Sequence, residues 1–226
     1  MHTSDTVSTH ETPGKSVPRL HVITQTRPGH DPFPSIKAAL AAGARLIQVR
    51  PEDHYTDREA LALAEEITDL CRQQGALSVV NDRVHIAQAV AADGVHLGAD
   101  DLPVDITRGI LGTSAIIGGT ARDAMSARVL RRAGATYVGV GPVFPTQTKE
   151  GLPDAIGLEG LAAVCAAVDL PVIAISGIDP ERARACVEAG AHGVAVVGAI
   201  SSAPDPYCAT RELLAAVGEL PTGDRA

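Results

Sequence analysis

The run Tyr137-Val-Gly-Val-Gly-Pro-Val-Phe-Pro-Thr146-Gln-Thr148-Lys149-Glu-Gly151 passes from apolar residues straight into hydroxyls, one lysine and glycines. Pro142 and Pro145 stop regular pairing, Thr146 and Thr148 can donate hydroxyl hydrogen bonds, and Lys149 brings a full positive charge. That combination reads as a strand delivering a phosphate-binding loop. The bland alternative is a Pro/Thr-rich connection ending in a solvated lysine. Upstream, Asp82 and Asp101 offer two carboxylates, with Asn81 and Asp100 beside them. Oxygen donors of this kind suit Mg²⁺, which binds through one or two carboxylates plus substrate phosphates and keeps several waters. The competing reading gives both acids to helix N-caps, at Val84 and at Pro103. Arg50 and Lys149 are the cations best suited to grip a polyphosphate, one as a fork and one as a point charge. Arg83 is a third cation whose simpler role is on the surface. No His/Cys cluster has zinc spacing, and the eight histidines need no catalytic role; His96, inside a strand, reads as a packed or hydrogen-bonded core residue.

These residues need elements to hold them. From about Leu20 to the C-terminus, short β-branched runs alternate with Ala/Leu/Glu/Arg-rich helical patterns, the signature of βα units around a parallel sheet. The predicted strands are Leu20–Thr24, Arg45–Arg50, Leu77–Asn81, Gly94–Leu97, Ala115–Gly119, Tyr137–Val140, Pro171–Ser176 and Gly193–Val197. Helical patterns lie near Ser35–Ala42, Asp57–Gln74, Val84–Ala91, Pro103–Leu111, Arg122–Ala133, Leu158–Val168, Pro180–Ala189 and Pro206–Val217. Ala42-Gly43-Ala44, Ala133-Gly134-Ala135 and Ala189-Gly190-Ala191 each close a helix and open a strand, and Ala92-Asp93-Gly94 is a looser fourth copy. Glycine past a helix end can turn the chain back through a left-handed residue. Eight such units predict a single-domain (β/α)₈ barrel over residues 18–218, with polar tails at 1–17 and 219–226. An open doubly wound sheet is the runner-up, but no Gly-x-Gly-x-x-Gly follows the first strand.

In a barrel, function belongs on the loops after the strands. Gln48 and Arg50 follow the second predicted strand, Asn81-Asp82-Arg83 the third, Asp100-Asp101 the fourth and Thr120 the fifth. Thr146, Thr148 and Lys149 follow the sixth, Ser176-Gly177 the seventh, and Gly198, Ser201 and Ser202 the eighth. The chemistry-bearing residues therefore gather at one end. Gly177 and Gly198 fit the phosphate site that barrels often place after strands seven and eight. Two anion sites in one mouth imply two phosphorylated ligands.

Composition sets limits on partners. The net charge of −8 argues against a general nucleic-acid or anionic-membrane surface, and 2% aromatics leave little for stacking bases. Cys71, Cys165, Cys186 and Cys208 are widely spaced and form no CxxC pair, which predicts reduced thiols and fits a cytoplasm. No apolar segment reaches the ~18 residues that a membrane span requires. Self-association into a homo-oligomer stays open.

Gln48-Val-Arg50, Asn81-Asp82-Arg83-Val, Ala92-Asp-Gly-Val-His-Leu-Gly98 with Asp101-Leu-Pro103, and Gly139-Val-Gly-Pro-Val-Phe-Pro-Thr146-Gln-Thr148-Lys149 resemble the thiamine phosphate synthase family over nearly the whole chain. The resemblance implies a barrel enzyme that joins hydroxymethylpyrimidine diphosphate to a thiazole phosphate and releases diphosphate. It implies Mg²⁺ on Asp82 and Asp101, the diphosphate on Arg50, Asn81, Thr120 and Lys149, and the pyrimidine against Gln48. Thr146, Thr148, Gly177, Val197 and Gly198 would surround the thiazole phosphate. Arg50, Lys149 and Thr120 would carry the catalysis by stabilising charge on the leaving group, with no general base.

The sequence departs from the family pattern at Glu52, where Lys is common, and at Ala99, where Gln is common. An acid for a base beside a diphosphate is unfavourable by about 1–4 kcal/mol if it points inward. Thr120 replaces Ser, Ser176 replaces Gly, and Gly198 replaces Ser. A related thiazole tautomerase carries a histidine where this chain has Pro142, which ranks an isomerase second. A paralogue that binds a phosphorylated heterocycle without turnover is the third reading.

Overall fold

A computed structural model describes residues 16–146 and 153–220. Eight parallel strands close into one barrel, each hydrogen-bonded to its sequence neighbours and β8 back to β1. The strands are β1 Leu20–Ile23, β2 Leu46–Val49, β3 Leu77–Asn81, β4 Gly94–Leu97, β5 Ile116–Ala121, β6 Tyr137–Val140, β7 Val172–Ile175 and β8 Gly193–Val196. Around them lie α1 Phe33–Ala41, α2 Asp57–Gln73, α3 Val84–Ala89, α4 Val104–Leu111, α5 Ala124–Arg132, α6 Gly157–Cys165, α7 Pro180–Glu188, α8 Gly198–Ser201 and α9 Pro206–Ala216. The (β/α)₈ reading holds, and the open sheet is excluded by the β1–β8 pairing.

Strand alternation divides the core in two. Ile23, Leu46, Val79, Ile116, Tyr137, Ile173 and Ala195 fill the barrel interior, while the opposite faces of the same strands pack under the helices. Helix ends are set locally: Thr56 and Glu59 form a capping box at α2, and Asp123 with Ser126 forms one at α5. Asp179 and Asp205 cap α7 and α9, each followed by proline in the first turn. Gly43, Gly134 and Gly190, the repeated glycines, all have φ near +100°: +105°, +90° and +102°. In the looser fourth copy the left-handed turn falls on Ala91, at φ +49°.

Three local expectations differ. β5 runs to Ala121, two residues past its predicted end, because pairing with β6 continues through Thr120 with Gly139 and Ala121 with Val140. Thr120 is thus held in the strand itself. The four-residue α8 between β8 and α9 has too few residues for a helical period to show in the sequence. At the barrel bottom, Val17 is buried with its carbonyl accepting from His192 Nε2, and Glu219 Oε2 accepts from the backbone N–H of Arg19 and Leu20. The described ends of both tails are therefore tied to the barrel. All four cysteines are free and lie on helices, and no helix among the described residues is long and apolar enough to cross a membrane.

Candidate active site

The end of the barrel to which the strands' C-termini point opens into a cavity of about 1090 Å³ that reaches down to His21, Tyr137 and Ile173. Its walls follow from strand alternation. Gln48 on β2 and Arg50, just past its end, line the cavity; Gln48 is 4% exposed and its Nε2 donates to Asn81 Oδ1 at 2.7 Å. That bond joins β2 to β3 and leaves Gln48 Oε1 to accept from a ligand N–H. Arg50 is held by its own backbone: its N–H donates to Thr24 Oγ1 at 2.8 Å, and its carbonyl accepts from Thr26 Oγ1 at 2.7 Å. Both threonines are 1% exposed and stand at the end of β1. The guanidinium meets Glu52, with Nη1 3.5 Å from Oε1, so Glu52 does point toward the group that would grip a polyphosphate.

Asp82 and Asp101 both line the cavity, from the ends of β3 and β4. Neither acts as a side-chain N-cap: α3 and α4 have no side-chain cap hydrogen bond. Asp82 adopts φ +62°, a left-handed conformation that Asp tolerates better than most residues. Asp101 Oδ2 accepts from the Gly98 N–H at 2.6 Å, which fixes the β4 loop and leaves Oδ1 for coordination. Two oxygen-bearing acids without imidazole or thiol fit Mg²⁺, whose remaining positions would fall to water and phosphate. No group of three or more His, Cys, Asp or Glu side chains that could enclose a metal occurs among the described residues, so the residues present suit a cation shared with an anionic ligand.

Deeper in the barrel, His96 bridges β4, β5 and β6. Its Nδ1 lies 3.0 Å from the Tyr137 hydroxyl and its Nε2 3.1 Å from Thr120 Oγ1. Burial lowers its pKa to about 4, with Asp101 opposing the shift, so the ring is neutral near pH 7. Burial pushes the Tyr137 phenol well above its usual value. The expectation that His96 is a hydrogen-bonded interior residue holds.

On the far wall, Thr146, Ser176, Gly177, Val197 and Gly198 border the same cavity. The loop after β6 is braced by β7: Val143 N–H donates to the Ile175 carbonyl and Phe144 N–H to that of Ser176. Ser176 and Gly177 turn the chain with successive φ values of +82° and +66°. Arg182 donates to the Gly177 carbonyl at 2.7 Å and lies over the Phe144 ring. Thr148 and Lys149 lie outside the described residues.

Some residues go elsewhere, and others were missed. Arg83 turns from the cavity to Asp57 Oδ1 and the Tyr55 carbonyl, which settles it as a loop brace. Ala99 lines the rim without a polar side-chain atom. Thr24, Thr26 and Arg27 belong to no motif; the alternation Thr24-Gln25-Thr26-Arg27 at the end of the first strand is the one signal the sequence holds for them. Arg27 and Arg122 also line the cavity. The His96–Tyr137 pairing has no signature in spacing, since the residues are 41 apart and meet only once the barrel closes.

Comparison with known proteins agrees with this geometry. A family model described as thiamine monophosphate synthase matches residues 20–200. A thiamine-phosphate synthase from Salinispora arenicola is 50% identical over 204 residues, covering 89% of this chain and 98% of the relative. One from Salinibacter ruber is 44% identical over 205 residues, covering 90% of each chain. Among solved structures, thiamine phosphate pyrophosphorylase from Pyrococcus furiosus superposes with a TM-score of 0.80 at 38% identity, over 89% of this chain and 96% of that one. Matched by the family model over all eight strands and by relatives aligned over nine-tenths or more of their own length, the chain belongs to the thiamine monophosphate synthase family.

Proposed function

We propose that the protein couples hydroxymethylpyrimidine diphosphate with a thiazole phosphate, forming thiamine phosphate and releasing diphosphate. One observation carries the assignment of the site. Of the twelve residues to which the family resemblance gives a site role, ten border a single cavity, and the other two, Thr148 and Lys149, fall outside the described residues. Eight of the ten divide between two walls, while Gln48 on β2 and Thr120 on β5 lie between them. Arg50, Asn81, Asp82 and Asp101 come from β2 to β4, and Thr146, Gly177, Val197 and Gly198 from β6 to β8, so two anions would face each other across the barrel.

The coupling breaks the bond between the pyrimidine methylene carbon and the diphosphate oxygen, and the oxygen keeps the electron pair. The thiazole nitrogen supplies the pair for the new C–N bond. No proton need be abstracted, so the site requires donors aimed at the departing oxygen rather than a base. Arg50 and Lys149 would meet that growing charge as cations, with Asn81 and Thr120 as hydrogen-bond donors. Asp82 and Asp101 would hold Mg²⁺, which when bound supplies neutralisation of the diphosphate. Gln48 would orient the pyrimidine. Backbone N–H groups at Gly177 and Gly198, with the Thr146 and Thr148 hydroxyls, would hold the thiazole phosphate. Pro142 lines the cavity where the tautomerase reading needs a histidine, and proline cannot exchange a proton.

The test is an assay of the purified protein with both substrates and Mg²⁺, following thiamine phosphate and diphosphate. Equal amounts of both products, abolished by EDTA and by Asp82→Ala, are expected. A folded protein that binds the thiazole phosphate and releases no diphosphate would overturn the reading in favour of a binding paralogue.

A further inference from the structure

Two interior glycines make room for a pair of rings. A Cβ on Gly118 would fall 2.1 Å from Tyr137 Cζ, and one on Gly139 would fall 2.9 Å from His96 Cε1. Even alanine at Gly118 would displace the phenol. The rings of His96 and Tyr137 lie 5.6 Å apart and nearly parallel, and His21 meets Tyr137 edge-on at 4.9 Å. In a chain with only 2% aromatic residues, this cluster occupies the floor of the ligand cavity.

The hydrogen bonds in the cluster have one direction. Tyr137 is 1% exposed, and among the described residues its hydroxyl has His96 Nδ1 as its hydrogen-bond partner. A buried phenol proton left without an acceptor is costly, so the phenol donates and Nδ1 accepts. The neutral ring then carries its proton on Nε2, and Nε2–H donates to Thr120 Oγ1. With that oxygen accepting, the Thr120 hydroxyl proton turns away from His96, and Thr120 lines the cavity.

We propose that His96 is a positioning residue that fixes the Thr120 hydroxyl as a donor into the cavity, with Tyr137 selecting the tautomer that permits it. This rests on the reading of Thr120 as a ligand of the departing diphosphate and adds how its polarity is set. A freely rotating threonine hydroxyl spends part of its time as an acceptor, which repels an anion's oxygen. The Tyr137–His96–Thr120 chain removes that option before substrate arrives, so the donor requires no reorganisation as charge develops.

Steady-state kinetics of the full chain with both substrates and Mg²⁺ test this, together with urea unfolding of each variant. Thr120→Val is expected to lower kcat by about 100-fold, the loss typical of one preorganised donor. His96→Leu, which keeps the hydroxyl but frees its rotation, is expected to lower kcat by a smaller factor of about 10-fold, without changing KM for the thiazole phosphate. The double variant should be no worse than Thr120→Val alone, because His96 acts only through the Thr120 hydroxyl. His96→Gln, which can place an amide N–H near the Nε2 position, should recover most of the loss.

Losses that multiply in the double variant, or a folded His96→Leu protein with a wild-type rate, would overturn the proposal while leaving the assignment of Thr120 intact. A wild-type rate in Thr120→Val would remove Thr120 from the diphosphate site and this inference with it, while the coupling activity itself would stand. If His96→Leu fails to fold, His96→Gln decides: a folded glutamine variant slowed about 10-fold or more overturns the role assigned to Nε2.

Discussion

Arg50 shows how one side chain is set by neighbours that no local pattern reveals. Thr24 and Thr26 hold its backbone from both sides, and Glu52 draws its guanidinium. The pair with Glu52 is about a fifth exposed on each side, so it is neither fully screened nor strongly desolvated. In the proposed coupling, incoming diphosphate would compete with Glu52 for Arg50. Glu52→Gln is therefore expected to lower KM for hydroxymethylpyrimidine diphosphate about three- to tenfold at low salt, with a smaller effect as salt rises. An unchanged KM would mean that Arg50 does not bind that substrate. Thr24→Val removes the acceptor of a buried N–H, a loss of about 1–3 kcal/mol. Expected are a melting temperature lower by roughly 3–10 °C and a raised KM for the diphosphate substrate, read by calorimetry and steady-state kinetics. Lowered stability with unaltered KM would limit the threonine to holding the fold.

At the scale of elements, the strands were legible because each is a short β-branched run, and the helix-to-strand turns because glycine marks them. What escaped was set by pairing rather than by local preference. β5 extends through Thr120 because β6 continues to pair with it, and α8 is too short to show a period. The two acids at the mouth were legible as residues, but their capping alternative fell only to the hydrogen bonds of Asp101 and the uncapped starts of α3 and α4. Ala91 is the place where the glycine rule is broken. A side chain in the left-handed region costs about 1–2 kcal/mol, while glycine costs about 0.5–1 kcal/mol in unfolded-state entropy. Ala91→Gly should then stabilise the protein by up to about 1 kcal/mol, and Gly134→Ala, at φ +90°, should destabilise it by at least that much. Opposite signs in urea unfolding are the expected outcome. Ala91 is exposed, so a destabilised Ala91→Gly protein would show that the entropy cost of glycine outweighs the relief of the left-handed residue.

The whole molecule carries a net charge of −8 yet gathers Arg27, Arg50 and Arg122 at one rim, so the anion binding proposed for it would depend on placement rather than on overall charge. Beneath that rim the barrel encloses two imidazoles. Burial holds His96 at a pKa of about 4 and His21, whose Nε2 donates to the Pro18 carbonyl, at about 3; His96 and His192 push His21 further down. Both rings are neutral in the fold, and in the unfolded chain both would take up a proton below pH 6.5. The unfolded state then binds more protons, so stability is fully present above pH 6.5 and falls as the pH drops toward 4. Each ring contributes up to roughly 1.4 kcal/mol per pH unit across that window. The exposed acids whose pKa is lowered, among them Asp169 beside Arg131 and Glu59 beside Thr56, lose their stabilising charge as the pH falls through the ordinary carboxylate range and below it, so the upper part of the window belongs to the histidines. Urea unfolding between pH 7 and 4.5 should show the decline. His21→Gln, which keeps a donor for Pro18 and cannot titrate, should halve the slope. A wild-type stability flat over that range would mean that both imidazoles protonate inside the barrel, and the neutral floor inferred for the cavity would have to be abandoned.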